Sequence, residues 1–131
     1  MRPAVEPWKI AVVEDDNGLR AAILRMLTAC GWKPQGFASA EDFLDSGSAE
    51  AIDCLVLDLY LPGISGFELL EHIKATGRDI PIIFITAQDD EKIRVRVQGV
   101  GKLYLPKPFT GQSLASKAVS YTHLTLPTIC S

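Results

Sequence analysis

The stretch Ile52-Asp53-Cys54-Leu55-Val56-Leu57-Asp58-Leu59-Tyr60-Leu61-Pro62-Gly63-Ile64-Ser65-Gly66-Phe67-Glu68 decides how the rest of the chain is read. Leu55, Val56 and Leu57 form a continuous apolar run, which suits a strand covered on both faces in the middle of a parallel sheet. Asp58 stands at the carboxyl end of that run. Leu61-Pro62-Gly63-Ile64 is turn chemistry. Ser65 and Glu68 have the Ser-x-x-Glu spacing of a capping box, in which a hydroxyl and a carboxylate satisfy the first open backbone N–H groups of a helix. The stretch therefore predicts a strand over 52–57, a turn, and a helix running to about Thr76 before Gly77, with Phe67, Leu70 and Ile73 (or Leu69 and Ile73) on its inner face.

Outward from this unit the same alternation recurs. A first strand over 10–13 ends in Glu14-Asp15-Asp16, and Leu19, Ile23, Met26 and Leu27 then share one helical face up to Gly31. Residues 34–37 predict a weak second strand, short or at an edge, because Pro34 and Gly36 both disfavour central pairing. Ser39-Ala40-Glu41-Asp42, followed by Phe43 and Leu44, opens a short second helix. Residues 81–86 are a fourth, nearly all-apolar strand ending in Thr86, and Asp89-Asp90-Glu91 opens a fourth helix running to about Gln98, its carboxylates at the positive end of the helix dipole. A fifth strand over 102–105 leads into Pro106-Lys107-Pro108-Phe109, and 110–118 begins like a fifth helix. Strands alternating with helices specify an α/β fold, a doubly wound five-stranded parallel sheet of flavodoxin-like topology.

The chain has 131 residues, 47% apolar and 22% charged, the size and composition of one packed domain. Thirteen basic against sixteen acidic side chains leave a net charge of −3, and no basic stripe argues for direct nucleic-acid binding. Absence of a long apolar run or a signal-like start points to a cytoplasmic protein without a membrane span. Cys30, Cys54 and Cys130 are widely spaced and lack metal-ligand spacing, so reduced buried thiols are expected. His72 and His123 have no partners for a metal or a triad, and Trp8 and Trp32 read as packing residues.

Polar groups gather at the strand ends: Glu14 and Asp15 after the first, Asp58 after the third, Thr86 at the fourth and Lys107 beyond the fifth. Ligands of open α/β sheets bind at those carboxyl ends. Clustered carboxylates need a compensating cation, and two or three oxygen ligands with room for water suit Mg²⁺. With Lys107 and a Thr86 hydroxyl nearby, such a site suits a phosphoryl group, and one carboxylate would be the acceptor nucleophile.

Taken together, Val12-Val13-Glu14-Asp15, the segment from Asp58 to Gly66, Thr86-Ala87 and Lys107-Pro108-Phe109 resemble the receiver domain of two-component response regulators over residues 8–118. The resemblance implies that Asp58 is the phosphoacceptor, taking the phosphoryl group from a sensor histidine kinase or phosphotransfer protein. It implies that Asp15, Asp58 and the backbone carbonyl of Tyr60 hold Mg²⁺, with Glu14 acting through a bound water. Lys107 would pair with the phosphoryl oxygens after a cis peptide to Pro108. Thr86 and Tyr104 would form the switch that changes the helix 4, strand 5 and helix 5 face. Arg20 sets the register that selects Glu14 and Asp15 and leaves Asp16 as a helix cap. In this reading the protein is a phosphoacceptor assisting its own phosphorylation and dephosphorylation, not an enzyme; its further partners are a second receiver or a missing effector domain.

Two segments depart from the family pattern. Gln98-Gly99-Val100-Gly101-Lys102-Leu103 places its glycines out of register, implying a looser loop before the fifth strand. The stretch from Tyr121 to Pro127 is a poor helix, and 119–131 resembles translated adapter or vector read-through, so the native domain is expected to cover 1–118 with a truncated fifth helix. Other functions on this sheet are a flavodoxin-like cofactor binder, a Mg²⁺-dependent aspartyl phosphatase, and a partner-binding module independent of phosphorylation. The first needs a hydroxyl- and glycine-rich loop where Glu14-Asp15-Asp16 stands, and the second a further carboxylate two residues beyond Asp58, where Tyr60 stands. The complete acidic pocket argues against the third.

Overall fold

The computed structural model describes residues 8–87, 91–100, 103–110, 112–114 and 116–117. Five strands, β1 (Lys9–Val13), β2 (Lys33–Phe37), β3 (Cys54–Asp58), β4 (Ile82–Thr86) and β5 (Leu103–Pro106), form one parallel sheet in the order β2-β1-β3-β4-β5. Between them run α1 (Asn17–Ala29), α2 (Ala40–Asp45), α3 (Gly66–Ala75) and α4 (Glu91–Gly99). This is the expected doubly wound architecture. The third and fifth strands lie one or two residues further along than expected, so that Asp58 closes β3 instead of following it. A 3-10 turn at Ser48–Glu50 was not anticipated.

Alternation along each strand explains the two layers. Ala11, Val13, Leu55, Leu57, Ile82 and Phe84 face one core with Phe43, Leu69, Leu70, Ile73, Ile93 and Val97 from α2, α3 and α4. Ile10, Val12, Val56, Ile83 and Ile85 face the other with Ile23 and Leu27 of α1 and with Leu114. Every residue of β3 and β4 is buried, the condition that makes such strands read as unbroken apolar runs. Among the described residues β2 sits at the sheet edge, where Pro34 is tolerated because no further strand there needs its missing N–H.

Helix starts follow the sequence signals. Asp16 caps α1 by accepting from the Leu19 N–H at 2.9 Å, and Ser39 caps α2 through the Asp42 N–H at 3.0 Å. Ser65 and Glu68 form the reciprocal capping box that opens α3. The expected fifth helix is helical at 112–114 and 116–117, where the Thr110 hydroxyl accepts from the Ser113 N–H; its remaining length and the 119–131 tail lie outside the described residues. Trp32 is buried and Trp8 packs against the α1-side core, whereas His72 is exposed and His123 lies outside the described residues. Cys54 is a buried reduced thiol, but Cys30 is disulfide-bonded, which corrects the expectation of reduced thiols throughout.

Gly66 shows how tightly α3 is set against the site-bearing strand. A Cβ there would lie 2.8 Å from the Asp58 carbonyl oxygen and 2.8 Å from the Leu59 Cα, and neither backbone atom can swing aside. Gly66→Ala is therefore expected to lower stability by about 1–3 kcal/mol, the usual range for overpacking, as read by urea denaturation; unchanged stability would show that the backbone yields there.

Candidate functional site

Strand order reverses between β1 and β3, and at that switch point their carboxyl ends stand side by side. Glu14 follows β1 and Asp58 ends β3; both are nearly inaccessible, at 1% and 4% exposure. Asp15 is exposed at the rim, and one carboxylate oxygen from each of Glu14, Asp15 and Asp58 lies within 4.8 Å of the others.

Lys107 closes the cluster from the far side of the sheet edge. Its Nζ lies 2.6 Å from Glu14 Oε1 and 2.9 Å from Asp58 Oδ2. Its own N–H donates to the Thr86 carbonyl at 2.7 Å, and the Lys107–Pro108 peptide is cis, as expected. Thr86 is fully buried at the end of β4. The Asp58 carboxylate is held at its second oxygen as well, where Oδ1 accepts from the Tyr60 N–H at 3.0 Å. Glu14 is fixed through the Asp16 N–H, which donates to Oε2 at 3.1 Å.

Tyr104 is partly buried on β5, paired in register with Phe84. Its ring packs against the α4-side core and lies under the Arg94 guanidinium, 5.9 Å from the ring centroid. Gln98, Gly99 and Val100 are described, but Gly101 and Lys102 of the unusual loop lie outside the described residues. The sequence reading missed Arg94, and also Arg96, whose guanidinium sits 3.8 Å from the Phe67 ring centroid. Cation–π partners from different elements leave no spacing signal in one chain.

Burial pushes the Glu14 carboxyl up to about 7 from an ordinary 4.5; the Asp58 charge and a hydrogen bond with Asp15 add to the rise, while Lys107 and the Asp16 N–H oppose it. Burial also works against the Lys107 ammonium, but hydrogen bonds and attraction to Glu14 and Asp58 outweigh it and hold that group above its ordinary 10.5. With all three carboxylates ionised, three negative charges face the one ammonium of Lys107. That imbalance of two is what a divalent cation would neutralise, and an all-oxygen donor set suits Mg²⁺. The residues present thus fit the ion.

The sequence matches the family model of the response regulator receiver domain over residues 10–119, and the chain belongs to that family. It is 36% identical over 114 residues to nodulation protein W of Bradyrhizobium diazoefficiens, covering 86% of this chain and 50% of that protein. It is 32% identical over 122 residues to response regulator MprA of Mycolicibacterium vanbaalenii, covering 92% and 53%. Among solved structures, the BeF3-activated DrrB receiver domain is similar at 30% identity with a TM-score of 0.80, covering 89% of this chain and 98% of that one. The chain spans about half the length of the curated relatives it matches. Receiver domains of this family are phosphoacceptors in phosphorylation-based signalling. Among the described residues, no helix is long and apolar enough to cross a membrane.

A carboxyl whose folded pKa is raised keeps a proton that the unfolded chain has released, so between pH 4.5 and about 7 its contribution to stability falls as pH rises. In EDTA, wild type should therefore lose stability relative to Glu14→Gln across this window, by on the order of 1 kcal/mol per pH unit. Urea midpoints at pH 5, 6 and 7 measure this, and parallel curves for the two proteins would contradict it.

Proposed function

We propose that this chain is a Mg²⁺-dependent signalling switch that accepts a phosphoryl group on Asp58 from the phosphohistidine of a sensor kinase or phosphotransfer protein. The observation carrying this reading is the buried Asp58 carboxylate, held at one oxygen by the Tyr60 N–H and at the other by Lys107, beside Glu14 and Asp15. Such a carboxylate has its direction fixed before substrate arrives.

In the transfer step an Asp58 oxygen attacks phosphorus and a P–O bond forms. The P–N bond to the donor imidazole breaks, its electron pair stays on that nitrogen, and the nitrogen takes up a proton. Asp15, Asp58 and the Tyr60 carbonyl would hold Mg²⁺, with Glu14 acting through a water. Bound there, the ion would neutralise the oxygens of the transferring group. Lys107 exchanges its pairing with the Asp58 carboxylate for one with a phosphoryl oxygen, which its long stem permits without backbone movement. In dephosphorylation water attacks the phosphorus and Asp58 leaves as its carboxylate, so the chain assists its own resetting.

Thr86 and Tyr104 form the readout in this reading. Thr86 ends β4 and can turn its hydroxyl toward a phosphoryl group on Asp58. Tyr104 is registered beside Phe84 on the neighbouring strand, two residues short of Thr86, so space vacated by Thr86 is open to its ring. The α4 and β5 face then changes shape, together with the helix that follows, and becomes the surface read by a second receiver or an effector domain. The greater length of the relatives supports an effector domain in the whole protein. Partner recognition rather than direct nucleic-acid contact is the role of this domain, in the cytoplasm. Its native extent in this reading is 1–118, with 119–131 a non-native tail.

Incubation with acetyl phosphate and Mg²⁺ should add one phosphoryl group by intact mass, and EDTA should prevent it. Asp58→Asn should remain unmodified; labelling of that variant at the wild-type level would sink the assignment.

A further inference from the structure

The sequence leaves Gly36 unexplained, since a glycine inside a strand weakens it. The structure shows what occupies the space. A Cβ at Gly36 would lie 3.2 Å from Arg20 Cδ, 3.3 Å from Arg20 Cγ and 2.9 Å from Leu24 Cδ1, so the Arg20 stem runs directly over the β2 backbone. Its head reaches the acidic loop: one amino group donates to the Glu14 carbonyl at 2.7 Å and the other to Asn17 Oδ1 at 2.5 Å.

That carbonyl belongs to the peptide joining Glu14 to Asp15. The Glu14 N–H is already tied to the Phe37 carbonyl at 3.0 Å, and the Arg20 N–H donates to the Asp16 carbonyl at 2.9 Å. The loop is therefore pinned at each end by backbone bonds, and the Arg20 guanidinium fixes the plane of the peptide between them. Asp15 is exposed and its carboxyl meets that of Glu14, so the orientation of this peptide sets the point from which its side chain reaches the cluster.

Resting on the reading of the cluster as a divalent-cation site, we propose that Arg20 is a positioning residue for that site. By holding the Glu14 carbonyl it aims Asp15 into the cluster and so sets the affinity for the cation. The effect has a sign that separates it from simple charge. Arg20 is a cation near a cation site, so electrostatics alone makes its removal tighten Mg²⁺ binding. Loss of an outer-shell partner weakens binding, typically by 10-fold or more.

The test is isothermal titration with MgCl2 alone, without phosphoryl donor, on wild type, Arg20→Ala, Arg20→Lys and Asp58→Asn, each checked for fold by circular dichroism. Expected is a Kd raised about 10-fold in Arg20→Ala. Arg20→Lys, which keeps the charge but loses the paired donors, should fall between it and wild type. A Kd in Arg20→Ala equal to or below wild type, with Asp58→Asn binding weakly, overturns the role of Arg20 while leaving the site reading intact. Wild type that binds no better than Asp58→Asn overturns both. Should Arg20→Ala fail to fold, Arg20→Lys decides: a raised Kd supports the proposal, and an unchanged or lowered one overturns it.

Discussion

One ammonium group ties the sheet edge together. Lys107 Nζ touches Glu14 just beyond β1 and Asp58 at the end of β3, while its backbone N–H is bound to the end of β4. Buried carboxylates are costly when unpaired, so the placement of two of them at adjacent strand ends depends on this contact or on a cation that replaces part of it. The raised Glu14 carboxyl is the residue of that imbalance: one positive charge is shared between two buried acids, and burial still outweighs it.

The surrounding structure serves to keep that edge in register. Two apolar cores, one on each face, hold β1, β3 and β4 so that their last residues align. Caps at Asp16, Ser39 and Ser65 start helices close to the strand ends. Gly66 lets α3 begin against the backbone of Asp58 itself. Glu41 reaches from α2 to the Ile64 N–H at 3.3 Å and braces the turn that carries the loop after Asp58. α4 is joined to its neighbours by Arg94 over Tyr104 and Arg96 over Phe67, and Phe67 in turn lies against Phe84 with centroids 5.3 Å apart. Polarisable rings thus connect α4 to the strand that ends in Thr86.

Much of this was legible in the chain because local chemistry carried it. The unbroken apolar runs in β3 and β4, the Ser65–Glu68 box, the Asp16 cap and the edge placement of a strand containing Pro34 all follow from short-range rules. Strand ends shifted by a residue or two because hydrogen-bond register with neighbouring strands, not hydropathy, decides where a ladder stops. The 3-10 turn at Ser48–Glu50 is held partly by Arg78, whose guanidinium donates to the Ala49 and Ile52 carbonyls; a contact across 29 residues has no periodic signature. Cys30 departed from expectation for a related reason, since a thiol's oxidation state is settled by which cysteine meets it in space.

By itself the sequence determined the alternation of strands and helices, the helix caps, and the identity of the acidic, hydroxyl and basic residues at strand ends, because each depends on neighbours within a few positions. Tertiary structure decided what those residues do to one another. Only the parallel registers bring Glu14, Asp58 and Lys107, which are 44 and 49 residues apart in turn, within hydrogen-bond distance. Only the packing of α1 on β2 shows that Gly36 is vacant so that Arg20 can pass over it. Charge, burial and peptide orientation at the cluster are properties of atoms brought together across the fold, and no local pattern encodes them.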